Sequence, residues 1–485
     1  MQTIDKKSNK KSWAKAISQP ATEFPPTQLS VLAGKIPDGL RGTLYRNGAA
    51  RLERGGVSVG HWFDGDGAIL AVHFTDAGAT GVYRYVQTGG YQEETARGKW
   101  LYGNYGMTAP GAIWNQWRKP VKHTANTSVL ALPDQLLALW EGDNPYALDL
   151  ESLETKGLNN LGGLAKGQPY SAHPKIDYGT GEIFNFGMSP GPNAILHIYK
   201  SDFTGKILKK AKLTLKGFPI IHDFVLAGQY LVFFAPAVRL NIWSVLFGTS
   251  TYSDSLTWQP DQGTKIIVID RETLSVVSRG VTDPWFQWHF ANGYVDDSGT
   301  VIIDFAKYAD FQTNEYLRQV ATGETQTVPK NTLTRVQVNP QSGKVTGIET
   351  LLNRTCEFPH VPTKNVGKFS RYSYMSIFRE GTDTKGEILN SIASFDHQTA
   401  TLTEANLREN LYPSEPIYAP DHQNSHRGWV LTVVYDGNTD SSEVWLFNSN
   451  TLGGGSPRLD EEPVCKIGLP SVIPHSFHGT WKPGD

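Results

Sequence analysis

Cysteine is nearly missing from this sequence. Cys356 and Cys465 are the two in 485 residues, and no CxxC spacing occurs. A disulfide-stapled secreted scaffold does not fit, and a reducing cytosol is the expected compartment. An excess of one charge is missing too: 45 basic and 47 acidic residues leave a formal net charge of -2. That balance offers no footprint for nucleic acid. No stretch approaches the roughly 20 apolar residues that a membrane-spanning helix needs. The first 20 residues carry Lys6, Lys7, Lys10, Lys11 and Lys15 without an apolar run, so they do not read as a signal peptide. A flexible basic leader is expected at 1–20, followed by one domain over 21–485. Helical periodicity is scarce after residue 20.

Glycine (48), proline (28) and aromatic rings (11%) are plentiful, which suits many short strands joined by turns. One ending repeats along the chain. A β run stops at Asp or Asn, a few turn residues follow, and a second β run begins. It occurs at Asp76, Asp149, Asp202, Asp270, Asn339, Asp396 and Asn448, with spacings from 52 to 73 residues. Asp and Asn favour these places because their side chains bond the local backbone and tolerate turn dihedrals. Four short strands with their connections fill such a spacing, as in a propeller blade. The pattern alone does not separate a seven-bladed propeller from a sandwich or another multi-sheet β fold.

Gly56-Val57-Ser58-Val59-Gly60 matches the G-x-S-x-G nucleophile elbow. That motif needs a helix after it, whereas the turn-like His61-Trp62-Phe63-Asp64-Gly65-Asp66-Gly67 follows, so the match is accidental. No GxxxxGK[ST] and no HExxH is present. Four histidines stand alone at or near the ends of apolar segments: His173, His222, His289 and His478. Taken singly, each is an ordinary sheet histidine. Only an architecture that converges on one axis could bring residues so far apart together as ligands. Glu141, Glu357 and Glu415 sit in equally apolar contexts, where a buried carboxylate is costly unless paired. The imidazole N–H groups of metal-bound histidines would supply such pairing.

With these motifs in view, the whole chain resembles the carotenoid cleavage oxygenase family, and in particular its cyanobacterial apocarotenoid branch. The resemblance runs from Gly42-Thr43-Leu44-Tyr45-Arg46-Asn47-Gly48 through 61–67 and Ala125-Asn126-Thr127 to His478-Gly479-Thr480-Trp481. It implies an all-β, seven-bladed β-propeller with loops and short helices capping a substrate tunnel. It implies one Fe(II) per chain on the axis, bound by His173, His222, His289 and His478, with dioxygen as cosubstrate. His478 is preferred over His475 because the Gly-x-Trp pattern follows it. Glu141, Glu357 and Glu415 would orient three of the imidazoles, and Thr127 would shape oxygen access. Departures from the family pattern at Ala49-Ala50 and Ala68 touch only the shape of the tunnel.

The implied reaction is dioxygenase cleavage of a conjugated C=C bond of an apolar polyene into two carbonyl products. Central 15,15′ cleavage to retinal is favoured. Cleavage at 9,10, stilbene cleavage of the resveratrol type, and a non-catalytic binding propeller are the alternatives. Stilbene cleavers place a Lys before the first orienting glutamate, whereas Trp140 stands here. Phe63, Trp140, Phe224, Trp288 and Phe290 are candidates for the tunnel wall, with plain packing as the competing role. The apolar segments 109–117, beside Arg118 and Lys119, and 240–247 suit either peripheral membrane contact or burial as insertions. A cytoplasmic protein without a transmembrane segment is expected. The oligomeric state is unreadable.

Overall fold

The computed structural model describes residues 10–450, 459 and 462–484, apart from 113, 120, 192, 425 and 426. Among these, seven antiparallel sheets of four or more strands follow one another around a ring, which is the seven-bladed propeller expected. Blades 2 to 6 are each consecutive in sequence: 128–158, 175–216, 225–282, 290–352 and 356–404. Blades 1 and 7 are composite. The inner strand of blade 1, Gly479–Pro483, comes from the C-terminus and pairs with Gly42–Arg51. The outer strand of blade 7, Val31–Gly34, comes from the N-terminus and pairs with Cys465–Gly468. The ring is therefore locked by two backbone ladders. Both cysteines are free and buried.

Seven apolar clusters hold the ring, one in each gap between neighbouring blades. Leu44, Val72, Leu431 and Leu446 fill the gap between blades 1 and 7, for example. Phe186, Leu196, Phe224 and Phe233 fill that between blades 3 and 4. Both faces of most sheets are covered, so many strands read as continuous apolar runs, as Tyr230–Ala235 does.

Six of the seven repeated turns join the third and fourth strands of their blade. Asp149 is typical: its Oδ1 accepts the N–H groups of Glu151 and Ser152. Asp270 does the same for Glu272 and Thr273, and Asn339 for Gln341 and Ser342. The seventh reading is corrected. Asn448 lies inside the strand Ser441–Asn450, opposite Trp429. The ladder with Arg427–Asp436 carries the strand two residues past Asn448, to Asn450 opposite Arg427.

The leader also differs from expectation. Residues 1–9 lie outside the described residues, but Ser12–Ile17 forms a 3₁₀ turn with Trp13 fully buried. The Trp13 indole N–H donates to the Gly386 carbonyl at 2.9 Å. A single buried tryptophan outweighs Lys10, Lys11 and Lys15 around it, which are exposed. Trp13 packs with Trp62, Tyr316, Ile388 and Phe477 beneath a cap of short helices that includes Thr313–Val320. No helix among the described residues is long and apolar enough to cross a membrane.

Candidate metal centre

Four blades deliver a histidine to the axis just before the inner strand begins. His173 precedes Lys175–Asp177, His222 precedes Val225–Ala227, His289 precedes Phe290–Val295, and His478 precedes Gly479–Pro483. The inner strands of neighbouring blades crowd together around the axis. Residues dozens to hundreds of positions apart therefore meet. One ring nitrogen from each of the four imidazoles lies within 4.8 Å of the others, and all four side chains are buried. The Nε2 atoms of His173 and His222 are 3.0 Å apart, and those of His222 and His289 are 3.4 Å apart.

Three of the rings are held from behind. The Nδ1–H of His222 meets Glu141 at 2.5 Å, that of His289 meets Glu357 at 2.6 Å, and that of His478 meets Glu415 at 3.0 Å. Each contact commits Nδ1 as the donor and turns the Nε2 lone pair to the axis. Among the described residues, no carboxylate is paired with His173. Burial keeps its imidazole well below the ordinary range, and the His222, His478 and His289 rings add to this. Burial also pushes His478 down to about 4, against the pull of Glu415. Neutral imidazoles are the form that binds metal.

The glutamates differ among themselves. Glu415 accepts from Arg46 at 2.8 Å and from the Gly479 N–H at 2.8 Å as well as from His478. Burial would raise its pKa, but His478 and Arg46 hold it down to about 2. Glu357 accepts the Tyr308 hydroxyl at 2.8 Å. Glu141 was expected to be buried, yet its side chain is 43% exposed. Thr127 borders the same cavity as the histidines, and its carbonyl accepts the His478 N–H at 3.3 Å. Asn126 beside it donates to the carbonyls of Phe63 and Gly65, which pins the 61–65 turn.

An apolar cavity opens onto His222, His289 and His478, with Phe63, Trp288, Leu317, Phe358 and Phe477 in its wall. Phe63 and Trp288 meet edge to face at 5.7 Å, and Trp288 meets His222 at 4.9 Å. The other three aromatic candidates lie elsewhere. Phe224 stacks on Phe233 and Phe290 packs on Phe234, and both border a second, more polar cavity beyond His173, with Lys175 and Asp223. Trp140 packs against His123 at 4.9 Å and borders neither cavity. Adjacency in sequence to a ligand misleads here, because Phe224 and Phe290 are drawn into the apolar gaps between neighbouring blades. His475 also stays off the axis, with Nε2 on the Trp13 carbonyl at 2.9 Å.

Sequence reasoning passed over three supports. Arg46 is fully buried on Glu415, Tyr308 holds Glu357, and the Asp223 carboxylate caps the N–H groups of Phe224 and Phe290 while pairing with Lys175. An arginine inside the apolar strand Gly42–Arg51 was the available signal for the first.

The donor set fits a metal ion. Metal–nitrogen bonds of about 2.1 Å place adjacent ligands about 3 Å apart and opposite ones about 4.2 Å apart, close to the spacings seen here. Fold and site together define a β-propeller with four imidazoles that could hold a metal ion on its axis, beside an apolar cavity.

The comparisons with known proteins agree. The family model described as retinal pigment epithelial membrane protein matches residues 17–483. The chain is 31% identical over 464 residues to the apocarotenoid-15,15'-oxygenase of Synechocystis sp., covering 92% of this chain and 91% of that one. It is 28% identical over 490 residues to resveratrol cleavage oxygenase 1 of Aspergillus fumigatus, covering 94% and 92%. The crystal structure of cobalt-substituted Synechocystis apocarotenoid oxygenase matches with a TM-score of 0.85 at 29% identity over 98% of both chains. The chain belongs to this family, that of the carotenoid cleavage oxygenases, and is an oxygenase by that membership. The alternative of a non-catalytic binding propeller is thereby set aside.

Proposed function

We propose that this protein is an iron(II) dioxygenase that cleaves a conjugated double bond of an apocarotenoid into two carbonyl products, with the central 15,15′ bond as the favoured cut and retinal as a product. The observation that carries the reading is the convergence of four imidazoles, His173, His222, His289 and His478, at a point where three of them, His222, His289 and His478, border an apolar cavity. Bound iron(II) would supply the activation of dioxygen beside the polyene, with both oxygen atoms ending in the products.

The chain's own residues do the rest. The four histidines would hold one ion per chain and leave it room for further ligands. Glu141, Glu357 and Glu415 keep the Nδ1 protons and fix the ring planes. Thr127 narrows the approach beside His478 without carrying a ligand atom. Phe63 and Trp288 exclude water, and a ring face turned to the polyene would stabilise positive charge developing on it.

The substrate's solubility bears on location. Trp114, Trp243 and Phe247 are exposed, and Lys119 stands nearby in sequence. In the segments 109–117 and 240–247, residue 113 and the side chains of 116, 117 and 246 lie outside the described residues. Exposed indole rings beside a basic residue favour peripheral contact with lipid, from which a cytoplasmic enzyme would draw an apolar polyene.

The test is incubation of the Fe(II)-loaded protein with a β-apocarotenal in mild detergent under air, with products followed by chromatography. Retinal formation, abolished by His289→Ala, is the expected result. A shorter or longer aldehyde would keep the chemistry and move the cut. No product with iron bound would overturn the apocarotenoid assignment and turn attention to stilbenes.

A further inference from the structure

The cavity beside the histidines is apolar where Phe63, Trp288 and Leu317 wall it, but three serines, Ser376, Ser414 and Ser476, interrupt it. Ser376 lies on the strand Tyr372–Ile377, directly opposite Glu357 on one side and Ile392 on the other. Its side chain thus shares a face with the carboxylate that holds His289. Ser376 Oγ is buried and has no hydrogen-bond partner among the described residues. A buried hydroxyl left unpaired is costly, and native proteins rarely leave one without a use.

Ser414 reaches the same cavity from blade 7, in the short connection between Leu411–Pro413 and Ile417–Pro420. It ends a polarised chain. The buried Arg46 guanidinium donates to Ser476 Oγ through Nη2 at 2.8 Å and Nε at 3.2 Å. Ser476 Oγ in turn donates to Ser414 Oγ at 3.1 Å. The Ser414 proton then has no acceptor among the described residues. Successive hydrogen bonds polarise one another, so the last hydroxyl of a chain that starts at a cation is a better donor than an isolated serine. Neighbouring polar groups are already committed: Thr355 donates to the Pro329 carbonyl and Tyr308 to Glu357.

We propose that Ser376 and Ser414 are specificity-determining donors for an oxygen atom of the substrate. The cavity would then select polyenes that carry a carbonyl or hydroxyl oxygen on the part seated against blades 6 and 7. This inference rests on the polyene reading above and narrows its substrate class. An all-hydrocarbon polyene would displace water from both hydroxyls and leave them unpaired, whereas a carbonyl oxygen would satisfy them. A site built around hydrogen bonds discriminates most strongly against the analogue that lacks the partner atom.

The experiment compares two ligands of equal polyene length, a β-apocarotenal and its counterpart with methyl in place of the aldehyde. They are titrated into the Fe(II)-loaded protein under anaerobic conditions, so that nothing turns over. Binding is read as quenching of tryptophan fluorescence, with Trp62 and Trp288 in the cavity wall. The expected result is a Kd at least about tenfold lower for the aldehyde. Ser376→Ala and Ser414→Ala should each bring the ratio of the two Kd values toward one, and Ser414→Thr should preserve it. Equal Kd values in the unmodified protein, as resident water on both hydroxyls would give, overturn the inference and leave the polyene reading standing. So does a ratio that neither alanine variant moves. Failure of both ligands to bind overturns the polyene reading, and this inference with it.

Discussion

Glu415 and Glu141 perform one task in opposite surroundings. Each accepts the Nδ1–H of a histidine and so aims a ring at the axis. Glu415 is buried and also bound by Arg46 and the Gly479 N–H, whereas Glu141 keeps 43% of its side chain exposed. A carboxylate in water needs one partner. A carboxylate cut off from water needs all of its lone pairs met, and the protein has built a buried cation to do it. The blade 7 side of the centre is thus a rigid ionic framework, while the side held by Glu141 is a single contact open to solvent.

Four variants would break or sharpen that contrast. The largest effect should come from Arg46→Met, which removes the cation and strands Glu415 in the interior. A loss of about 3–5 kcal/mol of folding stability is expected, measured by chemical denaturation. A loss below about 1 kcal/mol would show that Glu415 does not depend on its ion pair. Next is Glu415→Gln, for which titration with Co(II), followed by its visible absorption, should show metal affinity about 100-fold weaker. Third, Tyr308→Phe deprives Glu357 of a charge-assisted hydrogen bond, and about 1.5 kcal/mol should disappear from the same denaturation curve. The smallest change is expected from Glu141→Gln. Water can take over its role, so the cobalt affinity should fall only about tenfold. Equal cobalt losses in Glu141→Gln and Glu415→Gln would erase the distinction between the two sides.

The site was legible to the extent that its parts announce themselves locally. His173, His222, His289, His478, Glu141, Glu357 and Glu415 each stand in or beside an apolar run, ordinary when taken singly, and the family resemblance joined them into one set. Where the aromatic residues one or two positions further on would turn was not legible. Phe224 and Phe290 follow closely on His222 and His289 but turn into the gaps between blades. Trp13 sits among lysines that suggest a loose tail, and its burial depends on a pocket formed by residues as distant in sequence as Trp62, Tyr316 and Phe477.

By itself, the sequence determined what is decided within a few residues. The blade hairpins are one case, because Asp149, Asp270 and Asn339 bond the backbone two and three residues ahead and need no other part of the chain. The chemical types of the axial residues are another. The tertiary structure alone decided that these residues meet, because that requires seven sheets to close and the two termini to lock blades 1 and 7. It also decided which aromatic rings face the cavity, which glutamate stays in water and which serines are left with a free proton. Those outcomes depend on how neighbouring blades exclude solvent from one another, and no short stretch of sequence carries that information.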